Sequence, residues 1–243
     1  NASANNINPA VHKTCGGVIV QLPLPKNINA QYVLNAIPRE KDIDVLGERA
    51  LGAFYAGRNP VLPPAVGATE TILSTLNFQL STSSAAVLGR GALVGKPIAL
   101  WLMERVAELA VFTSKTQDMA GKLKNYDLVI TGVGKAGIVK PEHLKNGAGV
   151  IDFGYELKDG SLSGDLDTTK LIANSQQSTI NEVKKQSPSF FSFSPSSYNL
   201  LSLKVRDLRP TTYNLSFYTP TPGGTGPILV AKLLENFYTL NTV

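Results

Sequence analysis

A glycine-rich loop between a predicted strand and a predicted helix constrains the fold of this chain more than any other feature. An apolar run at residues 85–88 is typical of a buried strand, and the loop GRGALVGKP follows it at residues 89–97. The three glycines of the loop let the backbone turn tightly, and Pro97 is favoured in the first turn of a helix. This order of elements predicts a βα unit whose helix N-terminus faces a bound phosphate.

Predicted strands and helices alternate after this loop. Each predicted strand is short and apolar on both faces, which is typical of a parallel sheet covered by helices. We predict helices over 97–108 and 117–125 and strands over 85–88, 109–112, 128–132 and 149–153. The pattern therefore predicts an α/β protein with a doubly wound, Rossmann-type dinucleotide-binding domain.

The residues on either side of this region predict further α/β structure and one irregular segment. We predict a buried strand over 17–22, a charged turn over 40–47 and helices over 30–36, 65–76 and 228–238. Residues 172–217 are rich in Ser, Pro and Phe without a clear period, so they resemble an atypical insert. We predict that residues 176–217 are poorly ordered or form a surface excursion.

The composition argues against several classes of partner. The net charge is +5, but the 23 lysines and arginines are spread along the chain, so we expect no nucleic-acid partner. No apolar run approaches the roughly 18 residues that span a membrane, so we expect no membrane partner. Cys15 is the only cysteine, which predicts a reducing, cytoplasmic location without a disulfide. The chain has no Cys/His cluster, so we expect no metal site.

The end of the second predicted strand indicates which dinucleotide binds. An NAD-specific domain normally carries Asp or Glu here to bind the ribose hydroxyls, but no carboxylate occurs before Asp118. Ser114 and Lys115, together with Arg90 from the glycine loop, instead offer donors and positive charge to a 2′-phosphate. We therefore predict that the cofactor is NADP.

The third predicted strand ends in small residues, TGVG at 131–134, against which a nicotinamide ring can lie flat. This strand end and the glycine loop belong to neighbouring βα units, so we expect both to contact the dinucleotide. The predicted cofactor-binding residues are Gly89, Arg90, Gly91, Val94, Gly95, Ser114, Lys115, Thr131, Gly132 and Val133.

Seven motifs follow one another along the chain. They are GVIVQLPLP at 17–25, EKDID at 40–44, GRGALVGKP at 89–97, GVGKAG at 132–137, IDFG at 151–154, GDLD at 164–167 and TPTPGGTGP at 219–227. Their sequences and their order resemble the methylenetetrahydrofolate dehydrogenase/cyclohydrolase family. The resemblance covers residues 16–170 and 218–238, and the first and last motifs are highly specific in combination.

The resemblance implies a fold of two α/β domains and a role in one-carbon folate metabolism and purine biosynthesis. Family members oxidise 5,10-methylenetetrahydrofolate to the 5,10-methenyl form with NADP, and bifunctional members hydrolyse that product to 10-formyltetrahydrofolate. By resemblance, residues 1–76 and 226–243 form a partial folate-binding domain that includes a returning C-terminal helix. Residues 77–225 then form the NADP-binding domain. The resemblance also implies a homodimer.

The resemblance also implies the residues of a folate site. Gln21 corresponds to the family's active-site glutamine, whose amide can orient a neighbouring group or a water. Asp44 corresponds to the aspartate that accepts hydrogen bonds from the pterin N–H groups, which is a charge-assisted contact. Both are implied to be catalytic. The implied substrate-binding residues are Gln21, Leu22, Pro23, Asp44, Pro222, Gly223, Gly224 and Thr225.

The chain departs from the family pattern at several positions. Gly91 replaces a serine near the phosphates, Val45 replaces a glycine after the aspartate turn, and PPAV at 63–66 replaces a Pro-Cys-Thr-Pro segment. The family's catalytic lysine lies on a helix well before the first motif, whereas only twenty residues precede Gln21 here. We therefore expect at most weak dehydrogenase activity and essentially no cyclohydrolase activity from these 243 residues.

Two other functions stay open on the sequence alone. One is a non-catalytic module that binds a dinucleotide or a folate. The other is an unrelated small-molecule dehydrogenase, such as a shikimate-type enzyme. That second alternative leaves Gln21, Asp44 and the loop at 222–227 without an explanation.

Overall fold

The computed structural model describes residues 15–158, 160–172 and 213–242. Its strands are β1 (Ser84–Leu88), β2 (Glu108–Phe112), β3 (Leu128–Thr131), β4 (Gly149–Asp152), β5 (Glu156–Lys158), β6 (Ser161–Ser163) and β7 (Phe217–Tyr218). Five of them form a parallel sheet in the order β2-β1-β3-β4-β7, and β5 and β6 form a separate antiparallel hairpin. The predicted α/β class and parallel sheet are confirmed.

Helices lie on both faces of this sheet. They are α1 (Ala30–Asn35), α2 (Glu48–Tyr55), α3 (Pro64–Thr75), α4 (Gly95–Leu102), α5 (Met119–Leu123), α6 (Thr169–Ile172) and α7 (Thr225–Asn241), with short 3₁₀ helices at Arg39–Lys41 and Pro141–His143. Local sequence explains two helix starts. The side chain of Asn29 accepts a hydrogen bond from the Tyr32 N–H at the start of α1, and Pro64 occupies the first turn of α3.

The alternation of side chains along β1 divides the core into two layers. Ala85 and Val87 pack in one layer with apolar residues of α3 and α4, whereas Ala86 and Leu88 pack in the other with Leu123 of α5. All four of these β1 side chains are buried. Because both faces of the strand meet helices, an apolar run without alternation is what this position requires.

The last helix, α7, packs against the first part of the chain. Asn236 is buried, and its amide donates to the carbonyl oxygens of Ile43 and Leu62 at 2.8 Å each. Asn241 donates to the carbonyl of Gly16 at 2.9 Å. These contacts agree with a C-terminal helix that returns to the first 76 residues, while the division into two domains stays a prediction.

The strand predicted over residues 17–22 is wrong. This segment makes one isolated parallel bridge, between Val18 and Asp42, in which the Val18 N–H donates to the Lys41 carbonyl at 2.8 Å. A ladder needs a partner along its whole length, and here the partner leaves after one position because the chain turns at residues 42–47.

The helix predicted over residues 97–108 begins earlier and ends earlier than expected. It starts at Gly95 and stops at Leu102, and the N–H of Ala107 then donates to the Ser83 carbonyl at 2.9 Å. The chain has to turn here because Glu108 pairs with Ser84 at the start of the β1–β2 register. Tertiary pairing thus overrides a pattern that is apolar enough to continue as a helix.

The prediction for residues 176–217 falls mostly outside the described residues. At its C-terminal end it is wrong, because Leu215 and Phe217 are buried and Phe217 begins β7. The hairpin of β5 and β6 was not predicted at all. No helix in the described ranges is long and apolar enough to cross a membrane.

Candidate functional site

The glycine loop lies where the order of the sheet reverses. β1 is flanked by β2, which follows it along the chain, and by β3, which is reached by a crossover to the other side. In open parallel sheets, a crevice forms at such a point outside the carboxyl ends of the strands. Gly89 enters the loop with a φ of +94°, a conformation that favours glycine, and its N–H donates to the Phe112 carbonyl at 2.8 Å.

The start of α4 packs directly against the loop. A side chain on the buried Gly95 would collide with the carbonyl of Gly89, so only glycine allows this close approach. The Lys96 N–H donates to the Gly91 carbonyl at 3.0 Å, which fixes the loop onto the first turn of the helix. The arrangement brings the positive end of α4 to the crevice, where it can stabilise a phosphate.

The structure brings the glycine loop and the end of β3 together. A Cβ on Gly89 would lie 3.5 Å from the Gly132 oxygen and 3.5 Å from Cγ2 of Val133. On the other side, a Cβ on Gly132 would lie 2.6 Å from Cγ1 of Val94. Small residues at positions 89 and 132 thus let the two loops pack closely enough to share one ligand.

The predicted 2′-phosphate residues are exposed near the ends of β1 and β2. Phe112 pairs with Leu88, so the turn that carries Ser114 and Lys115 follows β2 at the same sheet edge as the glycine loop. Asp118, the first carboxylate after β2, accepts a hydrogen bond from the Gly121 N–H at 3.1 Å as the N-cap of α5. Its side chain is therefore used within its own helix.

A buried carboxylate that we did not single out from the sequence holds the loop after β3. Asp165 accepts hydrogen bonds from the Thr131 hydroxyl at 2.6 Å, from the Val133 N–H at 2.7 Å and from the Lys135 N–H at 2.7 Å. Its side chain is fully buried. The motif GDLD was a signal for this residue, but sequence spacing does not show which loop it contacts.

A second buried carboxylate, Asp152, ends β4 and meets the loop at 219–225. Its backbone N–H donates to the Thr219 hydroxyl at 2.8 Å, and its carbonyl accepts from the Thr225 hydroxyl at 2.9 Å. Its carboxylate accepts from the N–H groups of Gly154 and Leu166 at 2.8 and 2.9 Å. Burial raises the pKa of Asp152 to about 7, and the nearby charge of Asp165 acts in the same direction.

The loop at 222–225 therefore lies beside the end of β4, at the carboxyl edge of the sheet. Thr225 and Gly224 are buried, whereas Pro222 and Gly223 are exposed, and the peptide bond between Thr221 and Pro222 is cis. The exposed half of this loop is available to a ligand, while the buried half is fixed by its contacts to β4.

The predicted residues of the first 76 positions lie in two stretches, at 21–23 and at 44. Gln21 is exposed and donates to the Leu22 carbonyl at 3.2 Å, and a cis bond joins Leu22 to Pro23. Asp44 is partly buried in the turn that follows the Val18 bridge. Burial raises the pKa of Asp44 to about 6, and the negative charge of Asp42 adds to the increase.

Asp42 closes the turn that presents Asp44, a role we did not predict. It is buried and accepts hydrogen bonds from the N–H groups of Leu46 at 3.0 Å and Gly47 at 2.7 Å. Val45 lies in this turn, between Asp42 and Leu46, and has a φ of +55°, which is unfavourable for a β-branched residue. The backbone thus keeps a conformation suited to glycine, while the Val45 side chain is buried in the core with Ala50 and Val61.

The sheet order and the glycine loop at its switch point define a dinucleotide-binding α/β protein. Residues 63–183 match the tetrahydrofolate dehydrogenase/cyclohydrolase NAD(P)-binding domain. The chain belongs to the tetrahydrofolate dehydrogenase/cyclohydrolase family. In the described residues, no group of three or more His, Cys, Asp or Glu side chains is arranged to hold a metal ion.

Curated relatives are similar along most of the chain. The bifunctional protein FolD of Clostridium tetani is 39% identical over 221 residues, which cover 90% of this chain and 65% of the relative. That of Polynucleobacter asymbioticus is 31% identical over 232 residues, which cover 95% of this chain and 66% of the relative. The chain spans slightly less than two thirds of the length of these relatives.

Solved structures of the family have the same fold. The Trypanosoma brucei methylenetetrahydrofolate dehydrogenase-cyclohydrolase, complexed with NADP and an inhibitor, superposes with a TM-score of 0.74 at 27% identity. The match covers 99% of this chain and 73% of that one. The FolD enzyme of Campylobacter jejuni superposes with a TM-score of 0.75 at 24% identity, and the match covers 99% of this chain and 74% of that one.

Proposed function

We propose that this chain binds NADP and that the whole protein oxidises 5,10-methylenetetrahydrofolate to the 5,10-methenyl form. We further propose that the whole protein hydrolyses this product to 10-formyltetrahydrofolate. The observation that carries the proposal is the close packing of the glycine loop on the end of β3 at the switch point of the sheet. In open parallel sheets the ligand crevice lies at this switch point, and an edge of backbone and small residues suits a flat dinucleotide.

Whether a dinucleotide fits depends on the contacts at the glycine loop. Gly95 lies so close to Gly89 that no larger residue fits, which leaves the start of α4 open to a pyrophosphate. The exposed Arg90, Ser114 and Lys115 would bind the 2′-phosphate, because charged donors form the stronger hydrogen bonds to such groups. Bound NADP would supply the hydride acceptor, and the chain's own residues would orient it.

The folate half of the proposal depends on two groups of residues. Asp44 would accept hydrogen bonds from the pterin N–H groups, and Gln21, Leu22 and Pro23 would contact the reacting end of the substrate. The exposed part of the loop at 222–225 would position the folate towards the nicotinamide, since Thr225 ties this loop to the end of β4. Hydride transfer is mainly a matter of such positioning.

Replacing Arg90 with Ala tests the cofactor assignment. We expect NADP binding to weaken by about tenfold or more, the usual effect of losing a hydrogen bond to a charged group, with NAD binding unchanged. Calorimetric titration of each dinucleotide measures this, and Arg58→Ala, another exposed arginine, is the matched control. Binding of NAD as tight as that of NADP to the unmodified chain would contradict the proposal.

Turnover is a separate measurement. The near-ultraviolet absorbance of methenyltetrahydrofolate follows its formation with NADP and its decay by hydrolysis. NADP-dependent formation supports the enzymatic proposal. Saturable NADP binding without any methenyl product would support the alternative of a non-catalytic binding module.

A further inference from the structure

We propose that Asp165 is a positioning residue for the nicotinamide half of the cofactor, because it fixes the backbone of residues 131–135. The inference deepens the proposed function and rests on it, since it assigns a task to one residue of the same crevice. Asp165 is 34 residues from Thr131 in the sequence, but its carboxylate contacts the end of β3 and the loop that follows it.

The two carboxylate oxygens of Asp165 divide the loop between them. Oδ2 accepts from the Thr131 hydroxyl at 2.6 Å and the Val133 N–H at 2.7 Å, and Oδ1 accepts from the Lys135 N–H at 2.7 Å. Distances this short are typical of hydrogen bonds to a charged acceptor. Every second residue from 131 to 135 is thus bound to one rigid, planar group.

The segment around Asp165 is itself fixed to the same part of the fold. The Val139 N–H donates to the Asp165 carbonyl at 2.9 Å, and the Gly137 N–H donates to the Gly164 carbonyl at 3.0 Å. A side chain on Gly154 would collide with the Asp165 carboxylate, so Asp165 packs tightly against the end of β4 as well. These contacts leave the carboxylate little freedom to follow a displaced loop.

The charge of the neighbouring pair supports the same assignment. Asp152 lies close enough for the charge of Asp165 to raise its pKa, and with burial that pKa reaches about 7. A proton on Asp152 reduces the repulsion between the two carboxyl groups. The three loop donors meet a buried carboxylate at short distances, and hydrogen bonds inside the core are strong.

The position of this loop matters for only one end of the dinucleotide. Gly132 and Val133, which we assign to the nicotinamide, lie between the Asp165 contacts at Thr131 and Lys135. The residues assigned to the 2′-phosphate follow β1 and β2 instead. A change at Asp165 should consequently act on the nicotinamide half and leave the 2′,5′-ADP half untouched.

The experiment compares two ligands on the full chain. NADP reports the whole site, and adenosine 2′,5′-bisphosphate reports only the half at the glycine loop and the end of β2. Asp165→Asn keeps the shape of the side chain but replaces one acceptor oxygen with a donor group that faces an N–H. We expect NADP binding to weaken by about tenfold or more while bisphosphate binding stays within about twofold.

Two further variants keep the test decisive. Asp127→Asn is the matched control, because Asp127 also accepts from a backbone N–H, that of Ser84 at 3.0 Å, but at the opposite edge of the sheet. Thr131→Val removes a single donor to Asp165 from a fully buried side chain that does not reach a ligand, and it serves if Asp165→Asn does not fold. It should weaken NADP severalfold with the bisphosphate unaffected.

The outcomes separate this inference from the proposed function. Unchanged NADP binding by Asp165→Asn, or equal losses for both ligands in every variant that folds, would overturn the positioning role. Failure of the unmodified chain to bind either ligand would instead contradict the proposed function itself.

Discussion

Gly91 is an exposed residue of the glycine loop, at a position where the family resemblance predicts a serine. A Cβ added there would meet no atom within 4 Å, and its φ is not in the left-handed region that favours glycine. A larger residue would therefore fit without strain. The glycine at this position is open to substitution, unlike Gly95 in the same loop.

We expect Gly91→Ser to tighten NADP binding by up to about tenfold, since a serine hydroxyl would supply one more donor near the phosphates. Calorimetric titration of NADP measures the change. Gly52→Ser is the control, because a Cβ at Gly52 also has free space but lies on α2. Weaker binding by Gly91→Ser would show that the loop approaches the phosphates too closely for a side chain.

Asp44 should make folate binding depend on pH. Its pKa is raised to about 6, and only the ionised carboxylate can accept from two pterin N–H groups. We expect the affinity for 5-formyltetrahydrofolate to fall as the pH decreases through about 6, by up to tenfold per unit. Fluorescence titrations between pH 5 and 8, compared with Asp44→Asn, test this. A variant with the same pH profile would place the titrating group elsewhere.

At the scale of elements, one buried side chain ties α7 to two separate connections in the first part of the chain. Asn236 satisfies the carbonyls of Ile43 and Leu62, which belong to two different connections. We expect Asn236→Leu to reduce the free energy of unfolding by about 2–4 kcal/mol, because a buried and a partly buried carbonyl lose their donor. Urea denaturation measures this loss.

Glu235→Gln is the control for that prediction. Glu235 is the neighbouring residue and forms an ion pair with Lys232 on the surface at 2.8 Å. Exposed pairs of this kind contribute at most about 1 kcal/mol. A loss as large as that of Asn236→Leu would mean that α7 is sensitive to any change, rather than to the buried amide.

The sheet could be predicted from the sequence because its strands carry their own signal. The runs at 85–88 and 128–131 are apolar on both faces, and each is followed by small residues at a parallel sheet edge. The run at 17–22 has the same apolar character without a full-length partner, and apolar character alone does not supply one. The two-residue strand β7 is too short to show any period.

Within the candidate site, the loops could be predicted but their supports could not. The glycines at 89, 95 and 132 indicate that neighbouring segments approach the backbone closely there, and the structure shows these close contacts. The tasks of Asp42 and Asp165 depend instead on which N–H groups the fold brings to their carboxylates. The N–H groups that bind the Asp165 carboxylate lie about thirty residues earlier in the chain, so no local sequence pattern around Asp165 indicates them.

At the scale of the whole molecule, the two raised pKa values predict how stability varies with pH. Asp44 and Asp152 have folded-state pKa values of about 6 and about 7, above the ordinary value of 3.8. Between about pH 4 and pH 7, the folded protein therefore binds protons that the unfolded chain does not. Their contribution to stability is complete at the acid end of this range and is lost as the pH rises.

We expect the urea midpoint to be lower at pH 7.5 than at pH 5.5 and the difference to shrink in Asp44→Asn. The salt-bridged Asp127 has a lowered pKa, so its contribution is lost only at more acidic pH and does not interfere. A midpoint that rises steadily from pH 5.5 to 7.5 would contradict the assignment of raised pKa values to these two carboxyls.

The attachment of α7 also has a consequence for the order in which the protein is made. The amide of Asn236 reaches carbonyls that lie 193 and 174 residues earlier in the chain. During translation, Ile43 and Leu62 leave the ribosome long before the side chain that satisfies them, whereas β1, β2 and β3 emerge close together. The segment that contains Ile43 and Leu62 therefore emerges before the sheet but is completed only after it, once α7 has been made.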